Sequence, residues 1–136
     1  MTRLKRIMVV DDEAGIRNLL SDALAAEGFK VTLAKNGQDS LKQMRNRRFD
    51  LLITDINMPC LDGVGLLRKM KKEGRKERVI IMSGGAFDDS RLRKEIPQVF
   101  IQLKKPFCMN HLLKVVSSAL GPDSKKKRVN RNRGKG

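Results

Sequence analysis

The sequence contains neither tryptophan nor tyrosine, and its single histidine is His111. Few aromatic faces are available for stacking bases, and no RNA-recognition or helix-turn-helix motif is evident, so base-specific nucleic-acid recognition is not expected. The two cysteines, Cys60 and Cys108, are too few for a disulfide framework, and one histidine completes no recognised zinc spacing. We therefore expect both thiols to be reduced.

Long apolar runs are also absent. The run nearest the amino terminus covers residues 7–10 and ends in three acidic side chains, which is too short for a signal peptide or a membrane span. We therefore expect a cytoplasmic protein with no membrane span. A length of 136 residues and a hydrophobic fraction of 40% suit one domain with its own core. We expect no second effector domain.

Positive charge is in large excess and is concentrated at the carboxyl terminus. The formal net charge is +15, and residues 124–136 hold seven cations and no acid. These cations are Lys125, Lys126, Lys127, Arg128, Arg131, Arg133 and Lys135. Because the segment lacks apolar periodicity, we predict a domain over residues 1–123 and a disordered basic tail after it. The tail is either a solvated extension or a weak, sequence-indifferent contact for a polyanion such as nucleic acid.

Short apolar runs alternate with helical patterns in the rest of the chain. The runs have the length and composition of buried strands and cover residues 7–10, 31–34, 51–54, 79–82 and 99–103. Apolar spacing of three and four predicts a first helix with Asp12 as N-cap and Gly28 as its end. Further helices are predicted over residues 39–47, 64–72, 87–95 and 107–120. Five alternating pairs predict a doubly wound α/β fold with a parallel, flavodoxin-like sheet in strand order 2-1-3-4-5.

Polar side chains follow four of the predicted strands. Asp11 and Asp12 follow the first, Asp55 the third, Ser83 the fourth and Lys105 the fifth. We expect them to converge, because open parallel sheets bind ligands beyond the carboxyl ends of their strands. The three carboxylates crowd negative charge that a hard dication such as Mg²⁺ (or Mn²⁺) would compensate. With the metal and Lys105 neutralising a phosphoryl donor and Ser83 donating a hydrogen bond to it, a carboxylate could attack phosphorus.

Four segments in order resemble the receiver domain of two-component response regulators, of the stand-alone chemotaxis-regulator type. They are IMVVDDE, DINMPCLDG, IIMSGGA and KKPF, and the resemblance covers about residues 4–121. It implies that Asp55 accepts a phosphoryl group from a histidine kinase or a histidine phosphotransfer protein. It also implies that Asp11, Asp12, Asp55 and the backbone carbonyl of Asn57 bind Mg²⁺.

The same resemblance assigns roles outside the carboxylate cluster. Ser83 would be the switch hydroxyl, Lys105 the lysine that pairs with the phosphoryl group, and the bond before Pro106 would be cis. Phosphorylation would alter a face formed by the fourth helix, the fifth strand and the fifth helix, which an unidentified downstream protein reads. Such a domain is a switch with at most slow autodephosphorylation, not an enzyme. Gly63 is expected to give backbone freedom to the turn into the third helix.

One position departs from the family pattern. Three residues before its lysine the family commonly has an aromatic side chain that swings inward, and here that residue is Gln102. Phe100 has the same parity along the predicted strand, so we consider it a candidate substitute two residues further back.

Two other functions stay open at this point. A haloacid-dehalogenase-like phosphatase also uses an aspartate nucleophile and Mg²⁺, but it needs a second acid two residues after the nucleophile, where this chain has Asn57. A phosphorylation-independent adaptor or polyanion-binding module is favoured if Gln102 signals a lost switch. Partner binding that persists in Asp55→Asn would support the adaptor.

Overall fold

A computed structural model of the protein describes residues 3–58 and 62–121. Five parallel strands form one sheet in the order β2-β1-β3-β4-β5. The strands are β1 (Arg6–Val10), β2 (Lys30–Ala34), β3 (Leu51–Asp55), β4 (Arg78–Ser83) and β5 (Val99–Lys104). The predicted fold class and strand order are confirmed. The basic tail over residues 124–136 and Cys60 lie outside the described residues, so the predicted domain boundary stays a prediction.

Five helices connect or follow the strands, as the apolar spacing predicts. They are α1 (Ala14–Ala26), α2 (Gly37–Met44), α3 (Gly63–Lys72), α4 (Ser90–Glu95) and α5 (Met109–Leu120). None of the helices in the described part of the chain is long and apolar enough to cross a membrane.

The start of α1 differs from the prediction. Glu13, not Asp12, occupies the N-cap position, and its side chain makes no capping hydrogen bond. The carboxylate of Asp11 instead accepts a hydrogen bond from the Glu13 N–H at 2.9 Å. Asp12 is thereby left exposed at the carboxyl edge of the sheet. The predicted end of the helix is correct, since Gly28 has a φ of +94°, a conformation that glycine adopts readily.

The other boundaries shift where a side chain caps a helix. Helix α2 begins at residue 37 because Asn36 accepts a hydrogen bond from the Asp39 N–H at 2.8 Å. In α5, the Cys108 sulfur accepts from the His111 N–H at 3.4 Å, and the helix begins at residue 109 instead of 107. Helix α4 begins at residue 90 instead of 87, and here the N-cap residue Asp89 makes no side-chain capping hydrogen bond. Cys108 is a free, exposed thiol.

Two hydrophobic clusters cover the two faces of the sheet. Alternate residues of each central strand point to opposite faces, which explains why the strands are apolar throughout. The face under α2, α3 and α4 includes Met8, Val10, Leu52, Ile81, Met44, Leu66, Met70 and Leu92. The face under α1 and α5 includes Ile7, Val9, Ile53, Ile80, Leu20, Leu24, Leu112 and Val116. Packing on both faces fixes where each strand ends, and so fixes the polar residues at the carboxyl edge.

Candidate functional site

Three carboxylates meet at the carboxyl edge of the sheet. Asp11 and Asp12 directly follow β1, and Asp55 ends the adjacent strand β3. Each offers an oxygen, and these oxygens all lie within 4.8 Å of one another. Two oxygens bound to one Mg²⁺ lie at most about 4.2 Å apart, so a small inward movement would bring all three onto one ion. The carboxylates therefore fit a hard dication such as Mg²⁺.

Lys105 joins two of these carboxylates. Its Nζ lies 2.8 Å from Asp11 Oδ2 and 3.1 Å from Asp55 Oδ2, and Glu13 Oε1 is 3.4 Å away. The backbone N–H of Lys105 donates to the Ser83 carbonyl at 2.7 Å, and the Lys105–Pro106 bond is cis, as the resemblance implies. Partial burial alone would lower the pKa of Lys105, but hydrogen bonds to Asp11 and Asp55 outweigh burial and raise it above its ordinary value. The ammonium is therefore charged at neutral pH.

Asp55 is held in place on both of its carboxylate oxygens. Oδ2 accepts from Lys105, and Oδ1 accepts from the Asn57 N–H at 3.1 Å. The residue is only 5% exposed and lies at the end of a fully buried strand. Asn57, by contrast, is exposed. Asp55 is thus a fixed carboxylate with a cation on one side and a backbone amide on the other.

Gly63 packs directly against the backbone of Asp55. A Cβ at Gly63 would lie 2.6 Å from the Asp55 carbonyl oxygen and 2.7 Å from the Ile56 Cα, and its φ is outside the left-handed region. The expected reason for this glycine, backbone freedom, is therefore wrong. The first residue of α3 must be glycine for space, because the helix begins in contact with the chain that follows β3.

Ser83 ends β4 and is fully buried. Its hydroxyl donates to Gln102 Oε1 at 2.7 Å, and the Gly85 carbonyl lies at 3.2 Å. The side-chain amide of Gln102 donates in turn to the Phe87 carbonyl at 2.9 Å. Sequence reasoning missed this contact. The strand order contained a signal for it, because Ile81 pairs with Gln102 and Ser83 lies two residues on, toward the same face.

Contrary to the prediction, Phe100 and Gln102 lie on opposite faces of the sheet. The pairing of β4 with β5 shifts, so that Val79 pairs with Val99 but Ile80 pairs with Ile101, and Phe100 is the extra residue. Its ring packs against the cluster under α1 and α5 and lies 5.8 Å from the Arg78 guanidinium. The parity argument for Phe100 as a substitute for the aromatic residue is therefore wrong, because the strand contains a bulge.

Comparison with known proteins decides the family. The model of the response regulator receiver domain matches residues 7–117. This chain belongs to the response regulator receiver domain family. The expected resemblance is confirmed. Such domains are phosphoacceptor switches of two-component systems, and histidine kinases or phosphotransfer proteins phosphorylate them.

Curated relatives of this receiver domain include bacterial regulatory proteins. It is 33% identical to the regulatory protein AtoC of Escherichia coli over 129 residues, which is 95% of this chain and 28% of AtoC. It is 33% identical over 117 residues to sporulation initiation phosphotransferase F of Bacillus subtilis, covering 85% of this chain and 94% of that protein. The chain spans about a quarter of the length of AtoC and of the transcriptional regulator NtrC.

Solved structures show the same receiver fold. A CheY-like receiver domain of Methanospirillum hungatei superposes with a TM-score of 0.79 at 28% identity, over 93% of this chain and 99% of that one. The response regulator TrrA of Thermotoga maritima, in complex with Mg²⁺ and BeF, gives 0.73 at 32% identity, over 86% and 100%. Receiver domains bind Mg²⁺ at an aspartate cluster, and the three carboxylates of this chain form such a cluster.

Proposed function

We propose that this receiver domain accepts a phosphoryl group on Asp55 from the phosphohistidine of a histidine kinase or phosphotransfer protein. One observation carries the proposal: a buried carboxylate at a strand end lies 3.1 Å from the Lys105 ammonium and within 4.8 Å of two further carboxylates. A buried acid surrounded by metal ligands and a fixed cation is suited to attack a dianionic donor, whose charge must be neutralised before an anion can approach it.

In the proposed reaction, a carboxylate oxygen of Asp55 forms a bond to phosphorus while the bond between phosphorus and the imidazole nitrogen breaks. The electron pair of the broken bond stays on the imidazole, and the product on Asp55 is an acyl phosphate. Mg²⁺ (or Mn²⁺), held by Asp11, Asp12, Asp55 and the Asn57 carbonyl, would supply positive charge to the phosphoryl oxygens. Lys105 would turn from Asp11 toward the phosphoryl group, and the Ser83 hydroxyl would donate a hydrogen bond to a phosphoryl oxygen.

The product would act as a switch, not as a turnover intermediate. A haloacid-dehalogenase-like phosphatase needs an acid where this chain has the exposed Asn57, so fast hydrolysis has no general acid or base in that position. Phosphorylation replaces the single negative charge of the Asp55 carboxylate with the nearly two negative charges of the phosphoryl group, which attract the Ser83 hydroxyl. We propose that this changes the face made by α4, β5 and α5, because Gln102 on β5 and Phe87 before α4 are joined to Ser83 by hydrogen bonds.

The proposal is tested by mapping the phosphorylated residue. The protein is incubated with Mg²⁺ and acetyl phosphate, and the adduct is located by mass spectrometry. We expect labelling of Asp55 that is lost in Asp55→Asn and retained in Asp22→Asn, a matched change at an exposed acid of α1. Labelling that persists in Asp55→Asn would contradict the assignment. Unchanged partner binding by Asp55→Asn would instead favour the phosphorylation-independent adaptor or the polyanion-binding module.

A further inference from the structure

The contact between Ser83 and Gln102 has a defined direction. Gln102 Nε2 lies 2.9 Å from the Phe87 carbonyl, and Gln102 Oε1 lies 2.7 Å from the Ser83 hydroxyl. Because a backbone carbonyl only accepts hydrogen bonds, the amide nitrogen must face Phe87, and the amide oxygen is left facing Ser83. The Ser83 hydroxyl is therefore the donor in this pair.

A hydroxyl has one proton and can donate it once. In the structure, the nearer acceptor is Gln102 Oε1, and the Gly85 carbonyl is 0.5 Å further away, at 3.2 Å against 2.7 Å. A phosphoryl group on Asp55 would need the same proton. Donation to Gln102 and donation to a phosphoryl oxygen are thus mutually exclusive, and the hydroxyl must leave Gln102 in order to engage the phosphoryl group.

We propose that Gln102 is a positioning residue that holds the Ser83 hydroxyl in the resting state. It competes with the phosphoryl group for the one hydrogen bond that this hydroxyl can donate. This inference rests on the proposed function of Asp55. When the Ser83 hydroxyl donates its hydrogen bond to a phosphoryl oxygen, the partly buried amide oxygen of Gln102 is left without a donor. The loss of this hydrogen bond disfavours the phosphorylated state. Gln102 thereby lowers the affinity of the domain for a phosphoryl mimic and shifts its equilibrium toward the resting state.

The same side chain links this competition to the surface. Phe87 lies in the segment between β4 and α4, and its side chain packs against the cluster under α2, α3 and α4. Loss of the Ser83 bond frees one end of the amide while the other end remains bonded to the Phe87 carbonyl. The polar connection from Ser83 through Gln102 to Phe87 therefore occupies the place where an aromatic side chain is expected, and it works by exchange of a hydrogen bond.

The test measures equilibrium binding of beryllofluoride, a phosphoryl mimic, in the presence of Mg²⁺. Backbone amide signals in a heteronuclear NMR titration report it, since the chain has no tryptophan for fluorescence. We expect Gln102→Met, which keeps the length but removes the acceptor, to lower the half-saturating concentration about fivefold. Gln43→Met is the matched control, because Gln43 also donates to a backbone carbonyl, that of Leu33 at 2.7 Å, but lies on α2. It should leave the titration unchanged.

A double-mutant cycle separates competition from a general structural effect. In the Ser83→Ala background there is no proton to compete for, so adding Gln102→Met should change the affinity less than twofold. An equal fivefold gain in that background, or an unchanged or weaker affinity in Gln102→Met alone, would overturn the inference. Gln102→Leu serves as a second variant if the methionine variant fails to fold. Failure of the unmodified protein to bind beryllofluoride would instead contradict the function proposed for Asp55.

Discussion

At the scale of single residues, the charge of Lys105 does most to define the site. It forms hydrogen bonds with two buried carboxylates that are distant in sequence, Asp11 directly after β1 and Asp55 at the end of β3. Without it, Asp11 and Asp55 would face each other with no cation among the described side chains that is bonded to both. The lysine therefore stabilises the resting site and is already beside the atom that we expect to react.

We predict that Lys105→Ala lowers the initial rate of phosphoryl incorporation from acetyl phosphate about 100-fold. Loss of one fixed donor at a developing negative charge typically has an effect of this size. Lys104→Ala is a matched control, because it removes the neighbouring but exposed lysine at the end of β5. Equal rates for the two variants, measured with saturating Mg²⁺, would show that Lys105 has no role in the transfer.

At the scale of secondary-structure elements, the start of α3 lies so close to the end of β3 that there is no room for a side chain at Gly63. Gly63→Ala would place a Cβ 2.6 Å from the Asp55 carbonyl oxygen, where neither backbone can move freely. We predict a loss of about 2 kcal/mol in the free energy of unfolding, typical of overpacking. In Gly15→Ala, on α1, the new Cβ meets no described atom within 4 Å, so a gain of about 0.5 kcal/mol is expected. Urea unfolding measures the free energy of unfolding of both variants. Similar free energies for Gly63→Ala and Gly15→Ala would refute the close packing at Gly63.

Asp50, the residue before β3, joins the start of β3 to the start of β1. The Asp50 carboxylate accepts hydrogen bonds from the Arg6 N–H at 2.8 Å and from the Arg3 guanidinium at 2.8 and 3.0 Å. Partial burial would raise the pKa of Asp50, but the hydrogen bonds to Arg3 and Arg6 prevail and hold it below its ordinary value. Ionised Asp50 therefore stabilises the folded state at neutral pH.

Because the folded pKa of Asp50 is lowered, its stabilising contribution is present above the unfolded pKa of about 3.9 and is lost as the pH falls through the folded value. We predict that Asp50→Asn lowers the free energy of unfolding by about 1 kcal/mol at pH 7, most of it from the Arg6 bond, since Arg3 is well exposed. The difference should shrink below about pH 4. Thermal unfolding across this pH range measures the difference between the unmodified protein and Asp50→Asn, with Asp22→Asn as the control. A difference that did not change with pH would contradict a stabilising role for ionised Asp50.

At the scale of the whole molecule, sequence reasoning predicts what depends on strand ends and misses what depends on local geometry. Asp55 and Lys105 could be predicted to meet, because parallel strands align their carboxyl ends at one edge. The misplaced face of Phe100 follows from a bulge in β5, which no residue type in the sequence marks. The contact of Ser83 with Gln102 depends on a rotamer and an amide orientation, which periodicity does not determine.

The whole fold should also respond to the ion, because the crowded carboxylates lie where β1 and β3 meet. We predict that Mg²⁺ raises the free energy of unfolding by about 2.7 kcal/mol at a free concentration of 100 times its dissociation constant, since binding to the folded state alone shifts the equilibrium by mass action. Thermal unfolding is followed at rising MgCl₂, with NaCl of matched ionic strength as the control for general screening. Asp12→Asn removes an exposed ligand without emptying a buried position, so it should weaken the response without unfolding the domain. Equal stabilisation by NaCl, or an undiminished Mg²⁺ response in Asp12→Asn, would mean that these carboxylates do not bind the ion together.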